Sequence, residues 1–116
     1  GSMMKLPNLE NLLVEKAKIA DYLLSEEKSG GKSAFYVAFG FTLANWGILK
    51  AALIQHATTH EVARSSETAH GIKYIIEGEL QTPDGRSPQV RSVWIVDTGK
   101  DAPRLVTAYP LEGANT

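Results

Sequence analysis

The stretch Thr82-Pro83-Asp84-Gly85-Arg86 constrains this chain more than any other five residues in it. Pro83 and Asp84 suit a type I turn. Gly85 suits the left-handed position that closes a three-residue hairpin loop. The flanking runs, Ile72 to Leu80 and Val90 to Val96, are rich in β-branched and aromatic residues. A loop that pairs Thr82 with Arg86 sets the register. Tyr74 falls opposite Trp94, Ile76 opposite Ser92, Glu77 opposite Arg91 and Gly78 opposite Val90.

Successive side chains of a strand point to opposite faces. This register therefore puts Ile72, Tyr74, Ile76, Leu80, Val90, Trp94 and Val96 on one face, apolar enough to pack on helices. Lys73, Ile75, Glu77, Glu79, Gln89, Arg91, Val93 and Ile95 share the other, whose mixture of charge and aliphatic surface suits an open or partner-covered face. A second turn, Asp97 to Pro103, returns into Arg104-Leu105-Val106-Thr107-Ala108-Tyr109, and Pro110 ends that strand. A loop centred on Lys100 sends Val106 and Ala108 to the apolar face. It sends Leu105, Thr107 and Tyr109 to the charged one.

Upstream the periodicity is helical. Leu9, Leu12, Leu13, Ala17, Ala20, Leu23 and Leu24 recur at helical spacing after a Pro7-Asn8 entrance, which predicts a helix from Leu9 to Leu24. Ser25 to Gly31 reads as a polar loop. A short helix from Ser33 through Phe39 ends at Gly40 in the left-handed conformation. Thr42 then caps a helix from Leu43 to Ala57 with the stripe Trp46, Leu49, Leu53 and His56. One continuous helix bent at Gly40 is the alternative. Thr58 to His70 is polar and holds either a short edge strand around Glu61-Val62-Ala63 or an ordered loop. The expected fold class is α+β, with two or three N-terminal helices packed on one face of a three- to four-stranded antiparallel C-terminal sheet. Residues 4–112 form a single domain, 1–3 read as an expression scar and start, and 113–116 as a tail.

With no cysteine, disulfides and thiolate metal sites are excluded, which fits a cytoplasmic protein. No apolar run approaches the ~20 residues of a membrane helix. The net charge of −1 lacks the broad basic footprint of most nucleic-acid binders.

Several pieces together carry a family resemblance. They are Lys18-Ile19-Ala20-Asp21-Tyr22-Leu23-Leu24, Gly31-Lys32 with Phe35, Gly40-Phe41, Gly71 with Tyr74, Gly78, Asp84-Gly85-Arg86, Val90-Arg91 with Trp94, and Pro103 through Tyr109. The chain resembles an uncharacterised bacterial domain family whose members stand free or form C-terminal modules of large secreted toxins. That context resembles the barnase, EndoU, colicin tRNase and RelE superfamily of metal-independent ribonucleases. Those folds set N-terminal helices against a small antiparallel sheet and use its open face on RNA. The resemblance implies RNA as a partner, with a cognate antitoxin or immunity protein covering that face. It supplies no catalytic residues.

RNA cleavage through the 2′-hydroxyl needs a base, an acid for the leaving oxygen and cations around the phosphorane. The open face offers Lys73, Glu77, Arg91, Thr107 and Tyr109, with His70 at the start of the first strand as a further acid or base. Lys32, beside Gly30-Gly31 at a helix start, and Arg104 are the expected substrate-binding cations. The plain counterpart is a cross-strand ion pair between Glu77 and Arg91, a solvated Lys32 and a loop His70. His56 and His60 have the i, i+4 spacing of a metal pair. They lack a third ligand, and His56 lies on the apolar stripe, so a hydrogen-bonded core histidine is expected, with no metal and no cofactor. Tyr74 and Trp94 read as core aromatics. Two other functions fit the same residues: a noncatalytic interaction module, such as a homodimeric regulatory or phage-associated protein, and a small-ligand binder with a pocket lined by Tyr74 or Trp94.

Overall fold

The hairpin turn forms as its residues require. In the computed structural model, which describes residues 6, 11–24 and 32–111, the Gly85 amide donates to the Thr82 carbonyl at 3.1 Å. Gly85 has φ +89°, and Asp84 Oδ1 accepts the Arg86 amide at 3.0 Å. The turn joins β2 (Gly71–Glu79) to β3 (Gln89–Asp97) in an antiparallel sheet completed by β1 (Val62–Thr68) and β4 (Arg104–Pro110), in the order β1-β2-β3-β4. Tyr74 pairs with Trp94, Ile76 with Ser92, Glu77 with Arg91 and Gly78 with Val90, as the turn chemistry predicts. β1 runs well past Glu61-Val62-Ala63. Its polar residues stay exposed while their backbone pairs with β2 alone, as an edge strand permits.

β4 departs from the simple register. Arg91 pairs with Tyr109, Ser92 with Ala108 and Val93 with Thr107, but a bulge then sets Trp94 opposite Leu105 and Ile95 opposite Arg104. Leu105 therefore turns to the helix face, where it is 3% exposed, and not to the charged face. The N-terminal segment is the physical cause. Leu13 donates its amide to the Pro103 carbonyl at 2.8 Å and accepts the Leu105 amide at 3.0 Å, a parallel bridge on the outer edge of β4.

That bridge also shortens the first helix. Leu13 is extended, and helix begins only at α1 (Lys16–Lys18), which continues as a π-helical turn over Ile19–Leu23. The Leu24 amide reaches back to the Ile19 carbonyl at 2.9 Å. Leu9, where the spacing starts that helix, lies outside the described residues. α2 (Lys32–Ala38) and α3 (Trp46–Thr59) are separate helices, not one bent helix, and Gly40 stands between them at φ +99°. Thr42 and Asn45 exchange bonds ahead of α3: the Thr42 amide donates to Asn45 Oδ1 at 2.7 Å and the Asn45 amide to Thr42 Oγ1 at 3.3 Å. That reciprocal turn delays the helix to Trp46.

The core lies between helices and sheet, with Tyr36, Phe41, Leu49, Leu53, Ile76, Leu80, Val90 and Trp94 all fully buried. Each large apolar side chain withdrawn from water there stabilises the fold by roughly 1.5–3 kcal/mol. One polar chain crosses this core. Trp94 Nε1 donates to Ser92 Oγ at 2.9 Å, and Ser92 Oγ lies 3.0 Å from His56 Nδ1. His56 Nε2 lies 3.0 Å from the Val90 carbonyl and 3.2 Å from that of Gly78. Two carbonyls can only accept, so Nε2 carries the proton and Nδ1 accepts from the serine. Burial lowers the His56 pKa. His60 stacks beside it, its ring centroid 4.9 Å away, in space that a Cβ on Gly78 would fill.

The hairpin tip is fastened to α2. Arg86 donates from Nη2 to the Ala38 carbonyl at 2.9 Å, and its guanidinium sits 4.2 Å from the Phe39 ring centroid. Asp84-Gly85-Arg86 thus has a structural task, capping the end of a helix. Among the described residues, no helix is long and apolar enough to cross a membrane.

Candidate functional site

The face of the sheet turned away from the helices is organised in rows that run across the strands. In the first, Glu77, Arg91 and Tyr109 are neighbours on β2, β3 and β4. Arg91 Nε donates to Glu77 Oε2 at 2.7 Å, and Nη2 lies 2.6 Å from the same oxygen. Nη1 donates to the Tyr109 hydroxyl at 3.2 Å. The Arg91 and Glu77 side chains are 28% and 31% exposed. The Tyr109 hydroxyl, and after it the Glu77 carboxylate, raise the Arg91 pKa. Of the five N–H donors of a guanidinium, three are engaged among the described residues. Beside them lies a pocket of about 370 Å³ lined by Arg91, Tyr109, Pro110 and Leu111.

The second row holds Ile75, Val93 and Thr107. The Thr107 hydroxyl is 3.3 Å from that of Tyr22, which reaches it from the π-helical turn. The third row holds Lys73, Ile95 and Arg104. Arg104 grips Asp97 with two bonds, Nε to Oδ2 at 2.7 Å and Nη2 to Oδ1 at 3.2 Å. The arginine holds the Asp97 carboxyl below its ordinary range. A second pocket, of about 310 Å³, opens between the N-terminal segment and β4, with Glu15, Lys18, Tyr22 and Arg104 in its wall. Lys18 Nζ lies 5.2 Å from the Tyr22 ring centroid.

The structure thus brings Glu77, Arg91 and Tyr109 into contact and sets Thr107 one row away. Lys73 and Arg104 stand two rows away, ~14 Å from Arg91 at the rise of a strand. His70 does not join the Arg91 row. It is exposed in the β1–β2 turn, its carbonyl accepting the Thr98 amide at 3.0 Å, and seven strand residues put it ~24 Å from Glu77. Lys32 opens α2, but its side chain lies outside the described residues. Sequence reasoning missed Tyr22 and Lys18 as site residues. Their i, i+4 spacing matched an ordinary helix face, and nothing local announced the π turn that carries Tyr22 to the sheet edge.

A chain of the contact-dependent growth inhibition toxin–immunity protein complex from Klebsiella pneumoniae 342 has the same fold. The TM-score is 0.68 at 15% identity, over 90% of this chain and 97% of that one. No curated protein sequence matches the chain. The model of a domain of unknown function, DUF6883, matches residues 5–112, and this chain belongs to that family.

Proposed function

We propose that this protein is a toxin-type, metal-independent ribonuclease of a bacterial toxin–antitoxin or secreted-toxin system, working in the cytoplasm. Its active surface is the outer face of the sheet, and a cognate antitoxin or immunity protein is the partner that covers that face. The Glu77–Arg91–Tyr109 row carries the reading. It joins a carboxylate, a guanidinium and a phenol within hydrogen-bond reach on the sheet face opposite the one that packs on α3. In this reaction Glu77 takes the 2′-hydroxyl proton and the 2′-oxygen attacks phosphorus. Arg91 steadies the non-bridging oxygens of the phosphorane, and the Tyr109 hydroxyl protonates the departing 5′-oxygen. The products are a 2′,3′-cyclic phosphate and a free 5′-hydroxyl.

The shared fold with a chain of a toxin–immunity complex supports the toxin setting. An apolar docking face is a poorer reading, because Val93 and Ile95 at its centre are only 6% and 8% exposed. The test is induced expression with and without the neighbouring open reading frame, followed by RNA integrity analysis. Growth arrest with fragments ending in cyclic phosphate, relieved by the neighbour, is the expected result. Unimpaired growth and intact RNA in both cultures would overturn the reading.

A further inference from the structure

We propose that the pocket between the N-terminal segment and β4 is a second nucleotide subsite, so that single-stranded RNA lies along β4 from Arg91 to Arg104. The proposal rests on the reading that this face meets RNA. Four observations carry it. The pocket and the Arg91 row open on the same strand, with Thr107 between them. The Tyr22–Thr107 contact, between residues 85 apart in sequence, connects the two ends. Arg104 is oriented by its fork on Asp97, which among the described residues engages two of its five donors. Tyr22 stands in a π-helical turn, a local distortion that occurs frequently at functional sites.

The composition of the wall selects the ligand. Lys18 and Arg104 attract an anion, but Glu15 in the same wall disfavours a bare one. A nucleotide satisfies all of them. Its phosphate meets the cations, its base offers a π-face to Tyr22, and an exocyclic amine on the base edge donates to a carboxylate such as Glu15. The ~14 Å between the Arg91 and Arg104 rows exceeds the reach of one nucleotide, so a short substrate fills one end only.

The experiment uses uncleavable 2′-O-methyl oligoribonucleotides, a dinucleotide and a hexanucleotide, in fluorescence anisotropy with the full chain, and cleavage of the unmodified pair. Wild type should bind the hexanucleotide at least about tenfold more tightly than the dinucleotide, as an added stacking and charge contact allows. Lys18→Ala and Tyr22→Leu should each remove much of that difference, while Lys18→Arg and Tyr22→Phe, which keep the cation and the stacking ring, should retain it. Melting temperatures on the same preparations separate a lost contact from a lost fold, and Lys18→Arg serves where a truncation unfolds the chain. Wild type that cleaves RNA with no length preference overturns the subsite and leaves the ribonuclease reading standing. Length-dependent binding that Lys18 and Tyr22 control, without cleavage, upholds the subsite and overturns the ribonuclease. No binding at either length overturns both.

Discussion

Arg91 and Ser92 are consecutive residues of β3 whose side chains enter two opposite kinds of polar network. Ser92 points to the helices and joins Trp94 and His56 in a chain where every donor has an acceptor. Arg91 points outward to Glu77 and Tyr109 and, among the described residues, keeps donors without a partner. The inner network is built from neutral groups, because a buried unpaired charge is far more expensive than a buried, bonded hydroxyl or imidazole. The outer network is ionic and partly wet. The two-residue period of a strand thus lets one segment hold a closed network for stability and an open one for recognition. The difference lies in spare hydrogen-bonding capacity, not in distance from the core.

Breaking the closed network should give the largest effect. His56→Ala strands the Ser92 hydroxyl and leaves a cavity between α3 and the sheet, so a loss of about 3 kcal/mol is expected in chemical denaturation. A loss below about 1 kcal/mol would mean that the chain through Ser92 contributes little. The same network sets the sign of the acid response. Burial lowers the His56 pKa, so its contribution is fully present above the unfolded value of about 6.5 and is lost as pH falls from there toward the folded value. The melting temperature of wild type should drop over that window, and far less in His56→Ala. The Asp84 carboxyl, held at about 2 by Arg86, gives up its contribution only as pH falls from about 3.8 to about 2. The His56 loss therefore begins at a higher pH than the Asp84 loss. A wild-type melt flat from about pH 7 to 5 would contradict the neutral-histidine account.

Much of this contrast was legible in the sequence because the turn is local. Thr82-Pro83-Asp84-Gly85-Arg86 determines its own geometry, and the β2–β3 register, with Glu77 beside Arg91, follows by counting. The His56 position on an apolar stripe likewise pointed to a bonded core histidine. What escaped depends on partners distant in sequence. The bulge that turns Leu105 inward comes from pairing with Leu13, and the same pairing delays the first helix. Nothing within either segment encodes the other. The pocket with Lys18, Tyr22 and Arg104 exists only once those segments meet. Asp84-Gly85-Arg86 read as a turn, but its bond to the end of α2 required the fold.

The register that sets the networks back to back can be loosened from its turn. Gly85 is at φ +89° with nothing within 4 Å of an added Cβ, so a substitution there acts through the backbone alone. Gly85→Val should cost about 1 kcal/mol or more, while Gly85→Asn, which tolerates the left-handed region, should lose less. An unchanged melt in Gly85→Val would reject the bulged-turn assignment.

The smallest effect on stability, and the largest expected on activity, belongs to Arg91. Its ion pair with Glu77 is a partly exposed cross-strand contact, so Arg91→Ala should cost at most about 1 kcal/mol. As a phosphate clamp, the same side chain offers paired, fixed donors that an ammonium does not reproduce. Arg91→Lys keeps the charge and loses the fork. It should melt with wild type yet be strongly impaired in RNA cleavage and toxicity, with both measured on the same preparations. If Arg91→Ala melts far below wild type, Arg91 belongs with Ser92 among the structural residues and the contrast between the two faces collapses. If both variants melt normally and keep full activity, the spare donors serve no substrate and the site lies elsewhere on the molecule.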